Sequence, residues 1–180
     1  MSPWFVLALK PRHEKNTAAD LARREIEHYL PLYRSRRRWS DRFKEIEAPL
    51  FPGYLFCRFG YHQRLEVLNL PGVNSIVGYG KVPAPVPESE LDAVRSVIAS
   101  GRPVMPWPYL RAGQRVRIEE GSLAGLEGTL TRDAGLWRVV VNVELLQRSV
   151  AVEIDREIIS PVSSFTPAHA PLHARVQTSR

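Results

Sequence analysis

Apolar positions in the first hundred residues form short runs that alternate with segments of helical period. The run Trp4–Leu9 lies between Pro3 and Pro11 and predicts a strand buried on both faces. Residues 14–28 place apolar side chains at helical spacing among charged ones, which predicts an amphipathic helix. Residues 29–33 (YLPLY) predict a second strand. This alternation of strands and helices indicates a mixed α and β domain.

An apolar stretch at residues 49–59 (PLFPGYLFCRF) is interrupted by Pro52-Gly53 and predicts an extended strand with a bulge. Alternation divides its side chains into two apolar faces, one with Phe51, Leu55, Cys57 and Phe59 and the other with Leu50, Tyr54 and Phe56. One face of a sheet in a small domain contacts the core. The second face therefore needs covering helices or a partner molecule.

Residues 34–44 carry a dense run of positive charge that predicts a hairpin with a Ser-Asp turn. The basic side chains are Arg34, Arg36, Arg37, Arg38, Arg42 and Lys44, with Trp39 among them. Cations beside an aromatic ring are typical of nucleic-acid contacts, and a charged tip that keeps a sheet edge from pairing is the alternative.

The pattern changes twice along the rest of the chain. Up to residue 100 it predicts a short helix at 61–70, a strand at 73–77, a loop rich in glycine and proline, and a helix that begins near Glu88. Residues 101–111 are rich in proline and predict a semi-rigid linker. Residues 112–162 contain short strand patterns, with a tight turn at Ala134-Gly135, and predict a small β-barrel.

Composition narrows the class of protein. The 180 residues are 44% hydrophobic and 24% charged with a net charge of +6, as in a globular protein that works beside nucleic acid. The single cysteine, Cys57, excludes an internal disulfide, and no signal or membrane segment is evident, so we expect a cytoplasmic protein. No histidine has a nucleophile partner or metal-ligand spacing, so neither an enzyme nor a cofactor or metal is expected. Residues 163–180 lack apolar periodicity and are expected to be disordered.

Three segments together resemble the NusG family of transcription elongation factors over about residues 3–161. They are Trp4-Phe5-Val6, the 49–59 stretch with the later Pro71-Gly72-Val73, and a KOW-like pattern from Gly113 to Gly128. Residues 11–15 and 39–42 are most similar to the specialised antiterminator paralogues of the RfaH and UpxY type. The resemblance implies an α+β fold: an N-terminal NGN-type domain at 1–100 with an antiparallel sheet and flanking helices, then an SH3-like KOW barrel at 112–162.

The resemblance also implies binding surfaces. Family members grip the clamp helices of the largest RNA polymerase subunit through an apolar patch that corresponds to Phe51, Tyr54 and Phe56; packing under the chain's own helices is the alternative. Contact with the non-template DNA strand is implied for Lys10, Arg12, His13, Lys15 and Asn69, where a solvated charged surface is the alternative.

Two further surfaces are expected. We expect upstream duplex or RNA contact at the hairpin, through Arg36, Arg37, Arg38, Trp39, Arg42 and Lys44. The family binds a small-subunit ribosomal protein or the termination factor Rho at a barrel edge that corresponds to Leu145, Leu146 and Arg148; a partly buried hairpin cap is the alternative.

The function expected from this resemblance is a monomeric, non-catalytic elongation and antitermination factor that suppresses pausing and recruits a second partner through its barrel. One alternative is a housekeeping NusG that acts with Rho in termination. Another is a KOW-type RNA-binding or ribosome-associated protein.

Overall fold

The computed structural model describes residues 2–39, 42–109 and 113–162. In these residues the N-terminal part contains β1 (Trp4–Leu9), α1 (Glu14–Arg23), β2 (Glu27–Tyr29), β3 (Leu32–Trp39), β4 (Arg42–Pro49), β5 (Tyr54–Arg58), α2 (Arg64–Leu68), β6 (Val73–Ile76), β7 (Gly78–Tyr79), β8 (Val82–Pro83) and α3 (Glu88–Ala99). The C-terminal part contains β9 (Val104–Pro108), β10 (Gln114–Ile118), β11 (Glu127–Asp133), β12 (Leu136–Val143), β13 (Arg148–Glu153) and β14 (Ile159–Pro161).

The N-terminal core is a four-stranded antiparallel sheet in the order β2-β5-β1-β6. The apolar strand β1 pairs on both sides, as its sequence predicts, and sends successive side chains to opposite faces. Leu7 belongs to the cluster on the α1 and α2 side, whereas Val6 belongs to the cluster on the α3 side. The expected α+β architecture is confirmed.

A tight turn, and not a bulge, interrupts the 49–59 stretch. The amide of Tyr54 donates to the carbonyl of Phe51 at 3.0 Å, and Gly53 has a φ of +82°. Proline followed by a glycine of positive φ suits a type II turn. The bulge prediction is therefore wrong, because the turn separates β4 from β5 and places them in different sheets.

The two predicted faces of this stretch are confirmed except at Phe51. Leu55, Cys57 and Phe59 lie on the α1 and α2 side, whereas Leu50, Tyr54 and Phe56 lie on the α3 side. Phe51 also lies on the α3 side, because the turn ends the strict alternation.

Three element boundaries differ from the sequence prediction. Helix α1 ends at Arg23 and not at residue 28, because Glu25 adopts a φ of +55° and the chain turns into β2. The predicted strand at 29–33 is divided between β2 and β3 at Pro31. Part of the predicted loop after residue 77 is the two-stranded hairpin β7–β8.

The C-terminal part is a six-stranded antiparallel sheet in the order β14-β10-β11-β12-β13-β9. The linker prediction is wrong for Val104–Pro108, since this segment is β9 and pairs with β13. Its prolines are tolerated because β9 lies at the sheet edge. The Ala134-Gly135 turn is confirmed, with both residues at positive φ. The predicted disorder at 163–180 lies outside the described residues.

Helix α3 joins the two parts of the molecule. One apolar cluster extends from Phe56 under α3 to Val139 and Leu146 in the C-terminal sheet. Across the same boundary the amide of Glu144 donates to Glu90 Oε2 at 3.2 Å, and Ser122 Oγ donates to the Ser100 carbonyl at 3.4 Å. The C-terminal sheet therefore packs against the N-terminal part.

Candidate functional site

Hydrogen bonds to two neighbouring segments hold the positively charged loop between β1 and α1 in place. The amide of Leu9 donates to the Gly53 carbonyl at 2.8 Å, and that of Lys10 donates to the Gly72 carbonyl at 2.8 Å. Glu14 Oε1 accepts the Gly53 amide at 2.9 Å. The loop is thus fixed to the β4–β5 turn on one side and to the segment after α2 on the other.

The segment after α2 brings Asn69 to this loop. Thr17 Oγ1 donates to the Pro71 carbonyl at 3.3 Å, and a Cβ on Gly72 would lie 2.6 Å from His13 Cδ2. Gly72 also has a φ of +91°, so a side chain there is excluded by both conformation and space. Asn69 is the C-cap of α2, three residues before Gly72.

The cations of this loop point to solvent. Lys10, Arg12 and Lys15 are exposed, and none of them has an ion-pair partner within the described residues. Arg12 adopts a φ of +65°, which costs about 1–2 kcal/mol for a residue with a side chain. His13 is half-buried, with Nδ1 3.1 Å from the Pro11 carbonyl. All five residues predicted for DNA contact thus lie on two segments that the structure joins.

The apolar α3 face is less open than the sequence suggested. Phe51 and Phe56 are 2% and 0% exposed, and their rings meet edge to face at 5.7 Å. Only Tyr54, which is half-buried, reaches the surface from the predicted set. The expectation that Phe56 is presented directly to a partner is wrong in this arrangement, because the α3 cluster covers it.

An aromatic and basic cluster beside this face was missed from the sequence. The Arg95 guanidinium carbon lies 5.1 Å from the ring centroids of both Trp4 and Tyr29. Burial raises the pKa of the Tyr29 phenol to about 12, against the opposing charge of Arg95. The Tyr29 and Phe56 rings are 6.3 Å apart, so Tyr29 extends the apolar face toward solvent. The pairing of β1 and β2 with β5, together with the packing of α3 on the sheet, brings these residues together, and local spacing carries no signal for it.

The backbone of the basic segment forms the predicted hairpin. Strands β3 and β4 pair in register from Leu32 with Pro49 to Trp39 with Arg42. The side chains predicted to contact nucleic acid lie outside the described ones: Arg36, Arg37, Arg38, Trp39, Arg42 and Lys44. Their role stays a prediction.

The predicted partner-binding site of the C-terminal sheet is a turn whose two leucines pack inward. Leu145 and Leu146 lie in a 3₁₀ turn before β13; Leu146 is 7% exposed and Leu145 is half-buried against the same cluster. Arg148 is exposed. The alternative of a partly buried hairpin cap describes these leucines in the structure, because both pack into the apolar cluster that α3 shares with the C-terminal sheet, and their contact with a partner stays a prediction.

One carboxylate lies at the boundary between the two parts. Burial is the main cause that raises the pKa of Glu90, the Glu144 amide opposes it, and the Glu144 carboxylate adds to it. Elsewhere, burial raises the pKa of the Cys57 thiol to about 12, which makes it a poor nucleophile at neutral pH.

Within residues 2–39, 42–109 and 113–162, no group of three or more His, Cys, Asp or Glu side chains is arranged to hold a metal ion. In that same part of the chain, every helix is too short or too polar to span a membrane.

Comparison with known proteins gives consistent matches. Residues 2–95 match the family model described as transcription termination factor NusG. The termination/antitermination protein NusG of Lactococcus lactis is 26% identical over 174 residues, which cover 89% of this chain and 94% of that protein. The Thermus thermophilus protein of the same name is 30% identical over 121 residues, or 61% of this chain and 66% of that one.

A solved structure shares the fold. The structure titled "Domain interaction in Thermotoga maritima NusG" superposes with a TM-score of 0.54 at 19% identity, covering 91% of this chain and 98% of that one. At this identity the likeness speaks for the fold alone.

Proposed function

The chain belongs to the NusG family of transcription termination and antitermination factors, and we propose that it is a non-catalytic elongation factor that binds RNA polymerase and suppresses pausing. The observation that carries the proposal is the position of Gly53. Its carbonyl accepts the Leu9 amide and its amide donates to Glu14, so the cationic β1–α1 loop and the turn before Tyr54 form one unit. One small surface then supports both a DNA contact and a protein contact.

Polymerase contact is assigned to Tyr54, with Phe51 and Phe56 as its support. Both phenylalanines are buried in the cluster against which the half-buried Tyr54 packs, so they support its position. Tyrosine is favoured at protein interfaces because its ring is apolar and its hydroxyl tolerates water. The proposed partner surface is the pair of clamp helices of the largest subunit.

DNA contact is assigned to Lys10, Arg12, His13 and Lys15, together with Asn69. The cations lack acidic partners within the described residues, so binding phosphate would not require breaking an ion pair there. The proposed ligand is the non-template strand that polymerase leaves single-stranded. The hairpin β3–β4 is a second candidate contact, for upstream duplex or RNA.

The C-terminal sheet is proposed to recruit a second partner through Leu145, Leu146 and Arg148. Because the two leucines pack into the cluster shared with α3, a partner reaches them only after the C-terminal sheet separates from that helix. A small-subunit ribosomal protein and Rho are the two candidates.

Two versions of the function differ in outcome. A specialised antiterminator of the RfaH and UpxY type acts against termination, and a housekeeping factor also supports Rho. The match to almost the full length of the Lactococcus lactis protein favours the housekeeping version. The motifs at 11–15 and 39–42 favour the specialised one.

Transcription by purified RNA polymerase on a paused template tests the proposal. We expect the full chain to shorten the pause and Tyr54→Asp to lose polymerase co-elution while its circular dichroism stays unchanged, since a buried charge disrupts an apolar contact. Tyr54→Phe is the matched control and retains binding. Tight RNA binding without any effect on polymerase would replace this proposal with a KOW-type RNA-binding function, and addition of Rho separates the two versions.

A further inference from the structure

Exposed apolar side chains gather at one place on the N-terminal part. Among the described residues, Tyr61, Leu65, Tyr79 and Val82 are 75%, 71%, 78% and 70% exposed. They lie on only two elements, the 3₁₀ turn with α2 and the hairpin β7–β8. These four residues are named the Tyr61–Tyr79 patch. None of these four side chains is buried in the core, and an exposed apolar patch of this kind indicates a binding site.

Local geometry holds the patch in a defined form. Tyr61 and Leu65 are four residues apart on consecutive helical turns and so share a face. Tyr79 and Val82 are directly paired across the hairpin, where Gly80 takes a φ of +63°. Gly78 is needed as well, because a Cβ there would overlap the Val82 carbonyl.

Arg64 joins the two elements of the patch. Its Nη2 donates to the Lys81 carbonyl at 3.2 Å, and its Nη1 donates to the Tyr61 hydroxyl at 3.4 Å. Its guanidinium carbon lies 5.8 Å from the centroid of the Tyr61 ring and covers one face of that ring. At 75% exposure the other side of that ring is open to solvent.

The patch is also positively charged. Within the described residues, neither Arg64 nor Lys81 forms an ion pair with a carboxylate. The acidic residue of α2, Glu66, is engaged by Arg24 at 3.1 Å. Two open tyrosine rings and two cations without acidic partners are therefore combined on one surface.

We propose that the Tyr61–Tyr79 patch binds single-stranded DNA, with bases stacked on Tyr61 and Tyr79 and phosphates held by Arg64 and Lys81. Stacking on aromatic rings beside cations is how proteins hold unpaired strands, because every base has a π face. Leu65 and Val82 add apolar contacts that suit the methyl group of thymine, which favours DNA over RNA. This surface is separate from the β1–α1 loop, and its binding does not depend on polymerase.

The relation of the patch to the loop supports this choice. Helix α2 ends at its C-cap Asn69, beside the cationic loop, and begins next to Tyr61. Tyr61 and Asn69 are eight residues apart, a helical rise of roughly 12 Å, or about two to four nucleotides of extended strand. A strand that leaves the loop can therefore follow α2 to the patch.

Fluorescence anisotropy of the full chain with a labelled oligothymidylate of about twelve nucleotides tests the inference. We expect Tyr61→Ala and Tyr79→Ala each to weaken binding by at least about fivefold, the effect of losing one stacked base. Tyr61→Phe and Tyr79→Phe keep the ring and retain most of the affinity. Leu136→Ala, at an exposed apolar residue of the C-terminal sheet, leaves it unchanged.

Salt dependence separates stacking from charge. Lys81→Gln should lower the slope of log affinity against log salt by about 0.7, the value for one phosphate contact on a single strand. Tyr79→Ala should weaken binding without altering that slope. All the substituted side chains are exposed or at the surface, and circular dichroism verifies that the variants fold.

Specific results would overturn the inference. Unchanged oligothymidylate affinity in the Tyr61→Ala, Tyr79→Ala double variant does so, as does equal affinity for duplex DNA or tighter binding of oligouridylate. If the double variant keeps its DNA affinity but loses polymerase co-elution, the patch is a protein contact. Failure of the polymerase proposal is seen separately, because Tyr54→Asp leaves the patch intact.

Discussion

The two faces of the N-terminal sheet bury apolar side chains in different ways. On the α1 and α2 side, Leu7, Leu55 and Cys57 are fully buried within a cluster made only of N-terminal residues. On the α3 side, Phe56 is buried just as fully, but its cluster continues beyond α3 into the C-terminal sheet. The first face is completed locally and the second is completed by a distant part of the chain.

The difference separates packing that maintains the fold from packing that can be exchanged. The α1 and α2 face is covered by helices that follow its strands directly in sequence, so uncovering it would require unfolding the N-terminal part. A face completed across two parts of a chain behaves as an interface, because its cover can leave without unfolding either side. The proposed polymerase and partner contacts both lie on this second face.

The largest expected effect is on stability and tests packing on the α1 and α2 side of the sheet. Leu7→Ala removes a fully buried side chain from the central strand, and we expect the free energy of unfolding to fall by about 2–5 kcal/mol. Denaturant titration measures it. Leu136→Ala, which is 48% exposed at a hairpin, should change stability by less than about 0.5 kcal/mol. Equal effects of the two substitutions would contradict the assigned core.

A smaller expected effect tests the α3 side, where the apolar cluster continues into the C-terminal sheet. Ala93 is a half-buried residue of α3 that packs against the apolar cluster shared with the C-terminal sheet, and it lines the clefts that Leu126 and Val141 also line. We expect Ala93→Arg to overfill this contact at a cost of about 1–3 kcal/mol and to release the C-terminal sheet while both parts stay folded. A larger radius of gyration in X-ray scattering shows the release. Ala99→Arg, at an exposed site of the same helix, is the control and keeps the chain compact.

The smallest expected effect concerns pH. The pKa of Glu90 is raised above its ordinary 4.5 mainly by burial at the contact. Its contribution to stability is therefore full below that pH and is lost as pH rises through the raised pKa. We expect the wild-type contact to weaken relative to Glu90→Gln as pH rises above the ordinary carboxyl pKa of 4.5. Glu157→Gln, at an exposed site, should show the same pH dependence of the contact as the wild type. If Glu90→Gln also shows that pH dependence, Glu90 does not cause it.

Local pattern predicted the elements whose signals are local. Strand β1 is a short apolar run between prolines, and α3 has both an apolar face and a glycine after its end. The turn at Ala134-Gly135 follows from residues that accept positive φ. Each of these required only neighbouring residues.

The misses have physical causes. Pro52-Gly53 is compatible with both a bulge and a type II turn, and the choice depends on β4 pairing with β3 in a separate sheet. The prolines of Val104–Pro108 suggested a linker because the edge position that tolerates them is set by β13. The burial of Leu146 results from the cluster shared with α3, more than forty residues earlier in the chain, which no short-range pattern encodes.

The joining of the cationic loop to Asn69 was predicted only through family resemblance. In the structure it rests on Lys10 bonding to Gly72 and on His13 packing against the same glycine. The Tyr61–Tyr79 patch had no advance signal, because the pairing of Tyr79 with Val82 lies in a segment whose glycines and prolines predicted a loop.

The double engagement of Gly53 has a thermodynamic consequence. One peptide group receives the β1–α1 loop through its carbonyl, and the adjoining amide is held by Glu14. If DNA at the loop shifts this residue, the affinity of Tyr54 for polymerase changes by some factor. Polymerase must then change the affinity of the loop for DNA by that same factor, because coupling between two sites is reciprocal. Through Gly53, binding of the non-template strand at the loop and binding of polymerase at Tyr54 would each change the affinity of the other.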